Sequence, residues 1–199
     1  MDDPEGAIAA IVLAGGEATR LPGKLALDAG DAPLVVRVFR NVSRAYPTVI
    51  SCKGALPEGI DALIDAPRVL DRWPLRGPLS GLLSTMEELT APWVFACAGD
   101  APFIDAAFVA SLAAERRPGD EAIVPRRSDG GRERIEPLAA LYAREAFLRE
   151  GMPVLLRGDG ALRLVIDRLQ TRFVDARDER PFTNVNTPAD YAAIRGALA

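Results

Sequence analysis

The chain has 199 residues, 49% of them hydrophobic and 26% charged, a balance that fits a globular domain with a substantial core and excludes a short peptide scaffold or a disordered segment. Its formal net charge of −4 gives no general attraction to nucleic acid or to an acidic membrane surface, so we expect neither as a partner. Because the sequence contains no histidine, imidazole bases and imidazole metal ligands are excluded. Any reaction must rely on carboxylates, lysine, arginine, backbone amides or a metal held by oxygen.

Short apolar runs alternate with longer mixed segments, which is typical of a parallel sheet covered by helices on both faces. Strands are predicted over residues 7–14, 48–52, 68–70, 93–98, 121–125, 138–142 and 172–175. Helices are predicted over residues 33–45, 78–88, 105–115, 144–150, 161–169 and 188–198. This alternation predicts a three-layer α/β fold, in which ligands bind at the carboxyl ends of the strands. Because no segment reads as a linker, we expect one domain over residues 1–199.

A glycine loop follows the first predicted strand, in the segment LAGGEATRLPGK that begins at Leu13. Gly15 and Gly16 would let the backbone approach a phosphate closely, and Arg20 and Lys24 would neutralise its charge. The glycine pair alone favours a simple turn between a strand and a helix, but the cations that follow favour a nucleotide-phosphate loop. The segment is neither a P-loop, since leucine follows Lys24, nor a dinucleotide-binding fingerprint.

Two aspartates lie just beyond predicted strands. Asp100 follows the strand predicted over 93–98, and it suits Mg²⁺, which needs few protein carboxylates because phosphate oxygens and water complete its shell. Asp105 is better placed than Asp100 to cap the next helix. Asp71, taken alone, is best explained as a turn former, although it could also bind a base or ribose. We predict that Asp100 holds a metal and leave both interpretations of Asp71 open.

The remaining polar segments are less specific. Residues 126–134 are rich in arginine and glycine and fit equally a mobile flap over an anionic substrate or a plain surface loop. Asn184 and Asn186 would share one face of an extended segment, and Thr187 is predicted to cap the last helix.

The two cysteines, Cys52 and Cys97, are too few for a disulfide framework and lack zinc-site spacing, which favours a reducing compartment. Cys97 is expected to be a buried core residue, since no histidine can activate it. The apolar run 7–14 is brief and follows an acidic segment, so neither an export leader nor a membrane span is predicted. We therefore expect a cytoplasmic protein.

Taken together, these motifs resemble those of the molybdenum cofactor guanylyltransferases, which are MobA-like NTP transferases, in the same order and over nearly the whole chain. The resembling stretches are LAGGEATRLPGK, Asp71 with GPLSG at 77–81, CAGDAPF at 97–103, EPL at 136–138 with Tyr142, and NVNTP at 184–188. There are two main departures. The loop before Lys24 is shorter than the family's and lacks its aspartate, and Ser51 stands where the family often has asparagine.

The resemblance implies a Rossmann-like nucleotidyltransferase fold with a mostly parallel mixed sheet. It implies an enzyme that transfers GMP from GTP, with Mg²⁺ as cofactor, to the terminal phosphate of molybdopterin and releases pyrophosphate. Transient contact with other cofactor-biosynthesis proteins or molybdoenzymes is a further expectation. The implied catalytic residues are Lys24, Arg20 and Asp100, with Asp100 also the metal ligand. The implied nucleotide-binding residues are Leu13, Ala14, Gly15, Gly16, Lys24, Ser51, Asp71, Gly77 and Asp100. The implied acceptor-binding residues are Asn184 and Asn186.

Three alternatives remain. A molybdopterin cytidylyltransferase would more often begin this loop with AAG, so the Gly15-Gly16 pair favours guanine. Another small-molecule nucleotidyltransferase would share the same motifs. A non-catalytic nucleotide-binding homologue would bind the nucleotide without turnover, and the shortened loop before Lys24 permits that interpretation.

Overall fold

The computed structural model describes residues 6–15 and 21–198, apart from the side chain of residue 129. The strands of the described chain are β1 (Ile8–Leu13), β2 (Thr48–Cys52), β3 (Arg68–Leu70), β4 (Trp93–Ala98), β5 (Ala122–Asp129), β6 (Arg132–Ile135), β7 (Ala139–Ala143) and β8 (Thr171–Asp175). Its α-helices are α1 (Leu34–Ser43), α2 (Leu79–Glu87), α3 (Ala106–Ala114), α4 (Arg144–Leu156), α5 (Leu162–Ile166) and α6 (Pro188–Leu198). The predicted strands and helices are all present, most of them within two residues of their expected bounds.

The strands form one mixed sheet in the order β3-β2-β1-β4-β7-β5-β6, with β8 paired to β5. Strands β3, β2, β1 and β4 are mutually parallel, whereas β7 is antiparallel to both β4 and β5. In register, Leu13 pairs with Ser51 on one side and with Ala98 on the other. The carboxyl ends of four strands therefore meet along one edge, as the predicted Rossmann-like fold requires.

Helices cover both faces of the sheet because the central strands are apolar on both. Along β1, Ala10 and Val12 face one core with α1 and α3, while Ile11 and Leu13 face the other core with α2, α4 and α5. This alternation follows from the two-residue period of a strand. The architecture is thus the predicted three-layer α/β fold, with a helix layer on each side of the sheet.

Residues 126–134 do not form a loop, which corrects the sequence interpretation. Strand β5 continues to Asp129 and pairs with β6, and the turn between them is Gly130-Gly131 with φ of +59° and +82°. The side chains here are charged on both faces of the hairpin, so no apolar alternation marked the strands in the sequence. Arg126 is paired with Asp175 on β8, through Nε and Oδ1 at 2.6 Å, which braces the hairpin against the sheet.

Helix α4 is longer than predicted, and α5 is shorter. The prediction ended α4 at residue 150, yet Gly151 and Pro153, of residue types that commonly mark a helix end, both lie inside the helix. A Cβ added to Gly151 would lie 3.0 Å from Leu83 Cδ2 and 3.4 Å from Leu79 Cδ1 on α2. The glycine therefore serves close packing of two helices and does not stop α4.

Two further predictions concern the cysteines and membranes. Both cysteines are free and buried, and burial raises the pKa of the Cys97 thiol far above its ordinary value. Cys97 is thus an inert core residue, as expected. Within the described ranges, no helix has the combination of length and apolar character needed to cross a bilayer.

Candidate active site

The candidate site is a cleft along the carboxyl edge of the first four strands. Taken in sheet order β3-β2-β1-β4, the residues that lie just beyond the strands are Asp71, Lys53, Gly15 and Asp100. Because neighbouring strands are about 4.8 Å apart, these positions span about 14 Å of the edge. The cleft has a volume of about 500 Å³, within the usual range for small-molecule sites. Its walls include the predicted residues Leu13, Ala14, Gly15, Lys24, Gly77 and Asp100.

Lys24 and Asp100 meet at one end of this cleft, although 76 positions separate them in sequence. Lys24 begins a short 3-10 helix after Gly23, whose φ of +71° turns the chain back toward β4. The Lys24 ammonium contacts the Asp100 carboxylate and also donates a hydrogen bond to Asn186 Oδ1 at 2.9 Å. The shorter loop before Lys24 therefore still brings its ammonium to the predicted metal-binding carboxylate.

The backbone around Asp100 is fixed on two sides. The Gly99 amide donates to the Leu13 carbonyl at 2.9 Å, and a Cβ on Gly99 would lie 3.0 Å from that same oxygen. On the other side, the Val185 amide donates to the Asp100 carbonyl at 3.0 Å. The glycine before Asp100 thus allows β4 to leave the sheet against the end of β1, and the carboxylate is held in a rigid frame.

Asn184 and Asn186 line a second cleft, of about 730 Å³, and Asn186 connects it to Lys24. Arg127 and Glu136 also line it, and they form an ion pair with Nε and Oε1 2.5 Å apart. The hydrogen bond from Lys24 to Asn186 therefore stands between the two clefts. Sequence reasoning did not predict that this asparagine would touch the glycine-loop lysine.

The segment that carries the two asparagines is held by the start of α6. Thr187 Oγ1 accepts from the Asp190 amide at 3.1 Å, which confirms the predicted cap. The Asp190 carboxylate in turn accepts from the Asn186 and Thr187 amides at 2.9 and 2.8 Å. This reciprocal cap fixes the backbone from which Asn186 reaches Lys24.

Asp71 and Ser51 lie together behind the opposite end of the cleft. The Ser51 hydroxyl donates to Asp71 Oδ1 at 3.4 Å. A Cβ on Gly81 would lie 2.6 Å from Ser51 Oγ and 2.8 Å from Asp71 Oδ1, so this pair packs directly against the glycine. Burial raises the pKa of the Asp71 carboxyl, against the opposing effects of the Lys53 charge and the Ser51 hydrogen bond. Ser51 is fully buried and Asp71 partly so; among the residues described, neither forms part of the cleft wall.

Gly77 lines the cleft but is required by the fold itself. Its φ is +99°, and a Cβ there would lie 2.7 Å from the Gly160 carbonyl oxygen. The backbone that approaches Gly77 closely is therefore that of the chain before α5. Gly16 and Arg20, by contrast, lie outside the described residues.

Sequence reasoning missed Lys53, which lines the cleft on the β2 side. Its ammonium donates to the Leu75 carbonyl at 3.0 Å, and its Cγ would lie 3.0 Å from a Cβ on Gly15. The amino-acid composition could have drawn attention to this residue. The sequence has only two lysines, Lys24 and Lys53, against 22 arginines, and both lysines line this cleft.

Comparison with known proteins gives this site a family. Residues 10–173 match the family of MobA-like NTP transferase domains. A "Probable molybdenum cofactor guanylyltransferase" from Natronomonas pharaonis is 28% identical over 95% of this chain and 97% of its own length. A molybdenum cofactor guanylyltransferase from Burkholderia ambifaria is 32% identical over 96% of this chain and 97% of its own. The crystal structure of molybdopterin-guanine dinucleotide biosynthesis protein A from Archaeoglobus fulgidus has a TM-score of 0.80 at 22% identity, covering 95% of this chain and 97% of that one.

The matched region contains the glycine loop, Lys24, Lys53, Asp71 and Asp100, and the two sequence relatives extend over most of the remaining chain. The region that matches the family model therefore also contains the strands and side chains that form the cleft. The chain belongs to the family of MobA-like NTP transferase domains and is a nucleotidyltransferase.

Proposed function

We propose that this nucleotidyltransferase moves GMP from GTP to the terminal phosphate of molybdopterin and releases pyrophosphate. The observation that carries the proposal is the contact of Lys24 with both Asp100 and Asn186, because it joins the glycine-loop cleft to a second cleft large enough for an acceptor. The names of relatives that are 28% and 32% identical over nearly the full chain support the same substrates.

The order of residues along the sheet edge supports one orientation for the nucleotide. Asp71 lies beyond β3, partly buried behind the cleft wall, and a guanine bound at this end would reach its carboxylate with the N1–H and 2-amino groups while Ser51 orients the carboxylate. Gly15 lies beyond β1 and would present its backbone to the triphosphate, as would Gly16. Lys24, and Arg20 from the same loop, would neutralise the phosphate charge.

The residues present fit a Mg²⁺ ion. Across the described ranges, no three acidic, cysteine or histidine side chains are gathered into a metal cluster. Asp100 offers one carboxylate at the cleft wall, and one carboxylate is sufficient when phosphate oxygens complete the shell. Bound there, Mg²⁺ would act as a Lewis acid that stabilises charge on the α-phosphate and the leaving group.

The transfer itself needs no covalent enzyme intermediate. A terminal phosphate oxygen of the acceptor forms a bond to the α-phosphorus of GTP as the bond from that phosphorus to the β-phosphate oxygen breaks. Pyrophosphate leaves with the electron pair of the broken bond. Since the attacking oxygen is already ionised, the residues chiefly align the reactants and neutralise charge, and Lys24 donates to phosphate oxygens during the transfer.

The second cleft would hold the acceptor. Asn184 and Asn186 offer side-chain amides, and the guanidinium groups of Arg127 and Arg163 lie along its walls, each paired with a carboxylate. An anionic pterin phosphate would then approach Lys24 from the side of Asn186. Both free, buried cysteines agree with the cytoplasmic location that we propose for the reaction.

A test uses purified protein with Mg²⁺, molybdopterin and one of GTP, CTP or ATP, and measures both pyrophosphate release and the melting temperature. GTP should raise the melting temperature more than CTP or ATP, since a ligand that binds the folded state stabilises it. Pyrophosphate should appear with GTP and require molybdopterin. Equal or stronger effects of CTP would reject the guanylyl assignment, and stabilisation without pyrophosphate would favour a non-catalytic nucleotide-binding protein.

A further inference from the structure

The composition draws attention to Lys53. In a chain with 22 arginines, the two lysines both line the nucleotide cleft, Lys24 beside Asp100 and Lys53 just beyond β2. Arginine and lysine are not equivalent, because an ammonium is a compact charge with three rotatable donors, whereas a guanidinium is a rigid planar fork. Lys24 stands beside Asp100, where phosphate chemistry is proposed. Lys53 stands away from it, on the β2 side.

The backbone register brings Lys53 next to Asp71. Cys52 and Leu70 are paired on the parallel strands β2 and β3, and the Asp71 amide donates to the Cys52 carbonyl at 2.9 Å. Lys53 and Asp71 are the next residues of the two strands, about one strand spacing, or 4.8 Å, apart. The Lys53 charge also opposes the rise in the pKa of Asp71, which agrees with this proximity.

The Lys53 ammonium has more hydrogen-bond donors than its contact in the protein uses. Its stem passes Gly15, where a Cβ would lie 3.0 Å from Lys53 Cγ, and its ammonium reaches the Leu75 carbonyl at 3.0 Å. One hydrogen bond to Leu75 leaves two N–H groups of the ammonium. The side chain is exposed at the cleft, so these donors are accessible to a ligand.

We propose that Lys53 is a specificity-determining residue that donates a hydrogen bond to the six-position oxygen of guanine, beside the Asp71 carboxylate. This inference rests on the proposed function, in which Asp71 accepts from the N1–H and 2-amino groups. The two oxygens of a carboxylate match the two adjacent donors of guanine, and the next group on that edge is O6, an acceptor. Lys53 follows the neighbouring strand and carries an ammonium, the donor that would complete that pattern.

The test compares GTP with 6-thio-GTP and ITP by direct binding to the full-length protein. 6-Thio-GTP keeps N1–H and the 2-amino group but replaces O6 with sulfur, a weaker acceptor, whereas ITP keeps O6 and lacks the 2-amino group. The parent should bind GTP more tightly than either analogue. Lys53→Met should weaken GTP binding about 10-fold or more, the effect of losing a charged hydrogen bond. It should also abolish the preference for GTP over 6-thio-GTP while leaving the preference over ITP.

Two control variants separate this role from others. Lys53→Arg keeps a charged donor and should retain most of the preference for O6 over sulfur. Arg44→Met removes an exposed positive charge at the end of α1 and should leave all three affinities unchanged. If Lys53→Met weakens GTP and 6-thio-GTP by the same factor, Lys53 only anchors the Leu75 segment and the proposal is wrong. If the parent shows no preference for GTP over CTP and ATP, the proposed function fails instead.

Amine modification provides an independent measurement on the unmodified sequence. Acetylation of Lys24 and Lys53 is followed by mass spectrometry, without ligand, with inorganic triphosphate and with GTP. Triphosphate should protect Lys24 alone, and GTP should protect both lysines. Protection of Lys53 by triphosphate as strong as that by GTP would assign its ammonium to phosphate and overturn the proposal.

Discussion

At the scale of single residues, the site depends on side chains that several distant segments bring to one edge of the sheet. Lys24, Asp100 and Asn186 come from the glycine loop, the end of β4 and the start of α6, and they are in mutual contact through the Lys24 ammonium. An ammonium held between a carboxylate and an amide oxygen is well placed to exchange those partners for phosphate oxygens. The functions of these groups can therefore be separated by substitution.

Lys24→Ala should weaken GTP binding by roughly 1.5–3 kcal/mol, the range for a hydrogen bond to a charged group. Titration calorimetry with GTP and Mg²⁺ measures the change. Because the substitution also leaves Asp100 without this cation, the variant's melting temperature has to be recorded with the dissociation constant. An unchanged dissociation constant would mean that the ammonium does not meet the triphosphate.

Asp100→Asn removes the negative charge of this side chain and keeps its shape. The asparagine can still accept a hydrogen bond from Lys24, but it lacks the anionic oxygen that a hard cation prefers. Turnover should fall on the order of 10²-fold or more, as when one electrostatic stabiliser of a transition state is removed. GTP affinity should fall much less, since the base contacts remain. A folded variant that transfers GMP at the parent rate, with the same Mg²⁺ dependence, would make Asp100 a structural residue.

At the scale of elements, the sequence predicted those strands and helices whose apolar residues recur with a regular period. The buried strands β1 and β4 and the amphipathic helix α1 carry strong apolar signals, and each was found near its predicted bounds. The β5–β6 hairpin carries charge on both faces, so its pairing leaves no apolar period in the sequence. The site was predicted where glycines and cations follow a strand. Lys53 was missed because a lone lysine in a loop has no local pattern.

The packing of α2 against α4 is an element-scale feature that can be tested at Gly151. Because even a Cβ there would lie 3.0 Å from Leu83, Gly151→Leu should force the two helices apart and lower the free energy of unfolding by about 1–3 kcal/mol. Gly196→Leu in α6 is a matched control, since a Cβ at that glycine meets nothing within 4 Å. It should raise the free energy by about 0.5–1 kcal/mol through helix propensity. Urea denaturation measures both, and equal effects would contradict the packing argument.

At the scale of the whole molecule, stability and function compete at the Asp71 end of the cleft. The fold holds a carboxylate beside buried Ser51 and against Gly81, where burial raises its pKa above the ordinary value. A raised pKa means that the ionised form is less stable in the folded protein than in the unfolded chain. The contribution of this carboxyl to stability is therefore greatest at low pH, where it is protonated, and declines as the pH rises through its folded pKa.

Asp71→Asn should consequently raise the melting temperature at neutral pH, because a neutral amide of the same shape replaces a carboxylate that burial disfavours. The gain should shrink as the pH falls below the ordinary range of an aspartate, where Asp71 itself becomes protonated. GTP affinity should fall at the same time, since an amide cannot accept from both N1–H and the 2-amino group of guanine.

Asp65→Asn, at an exposed aspartate before β3, is the control and should change neither the melting temperature nor the GTP affinity. Thermal melts across pH, with and without GTP, measure both effects. A variant that is less stable at neutral pH, or that binds GTP as the parent does, would show that Asp71 is a structural turn former and would remove it from the nucleotide site.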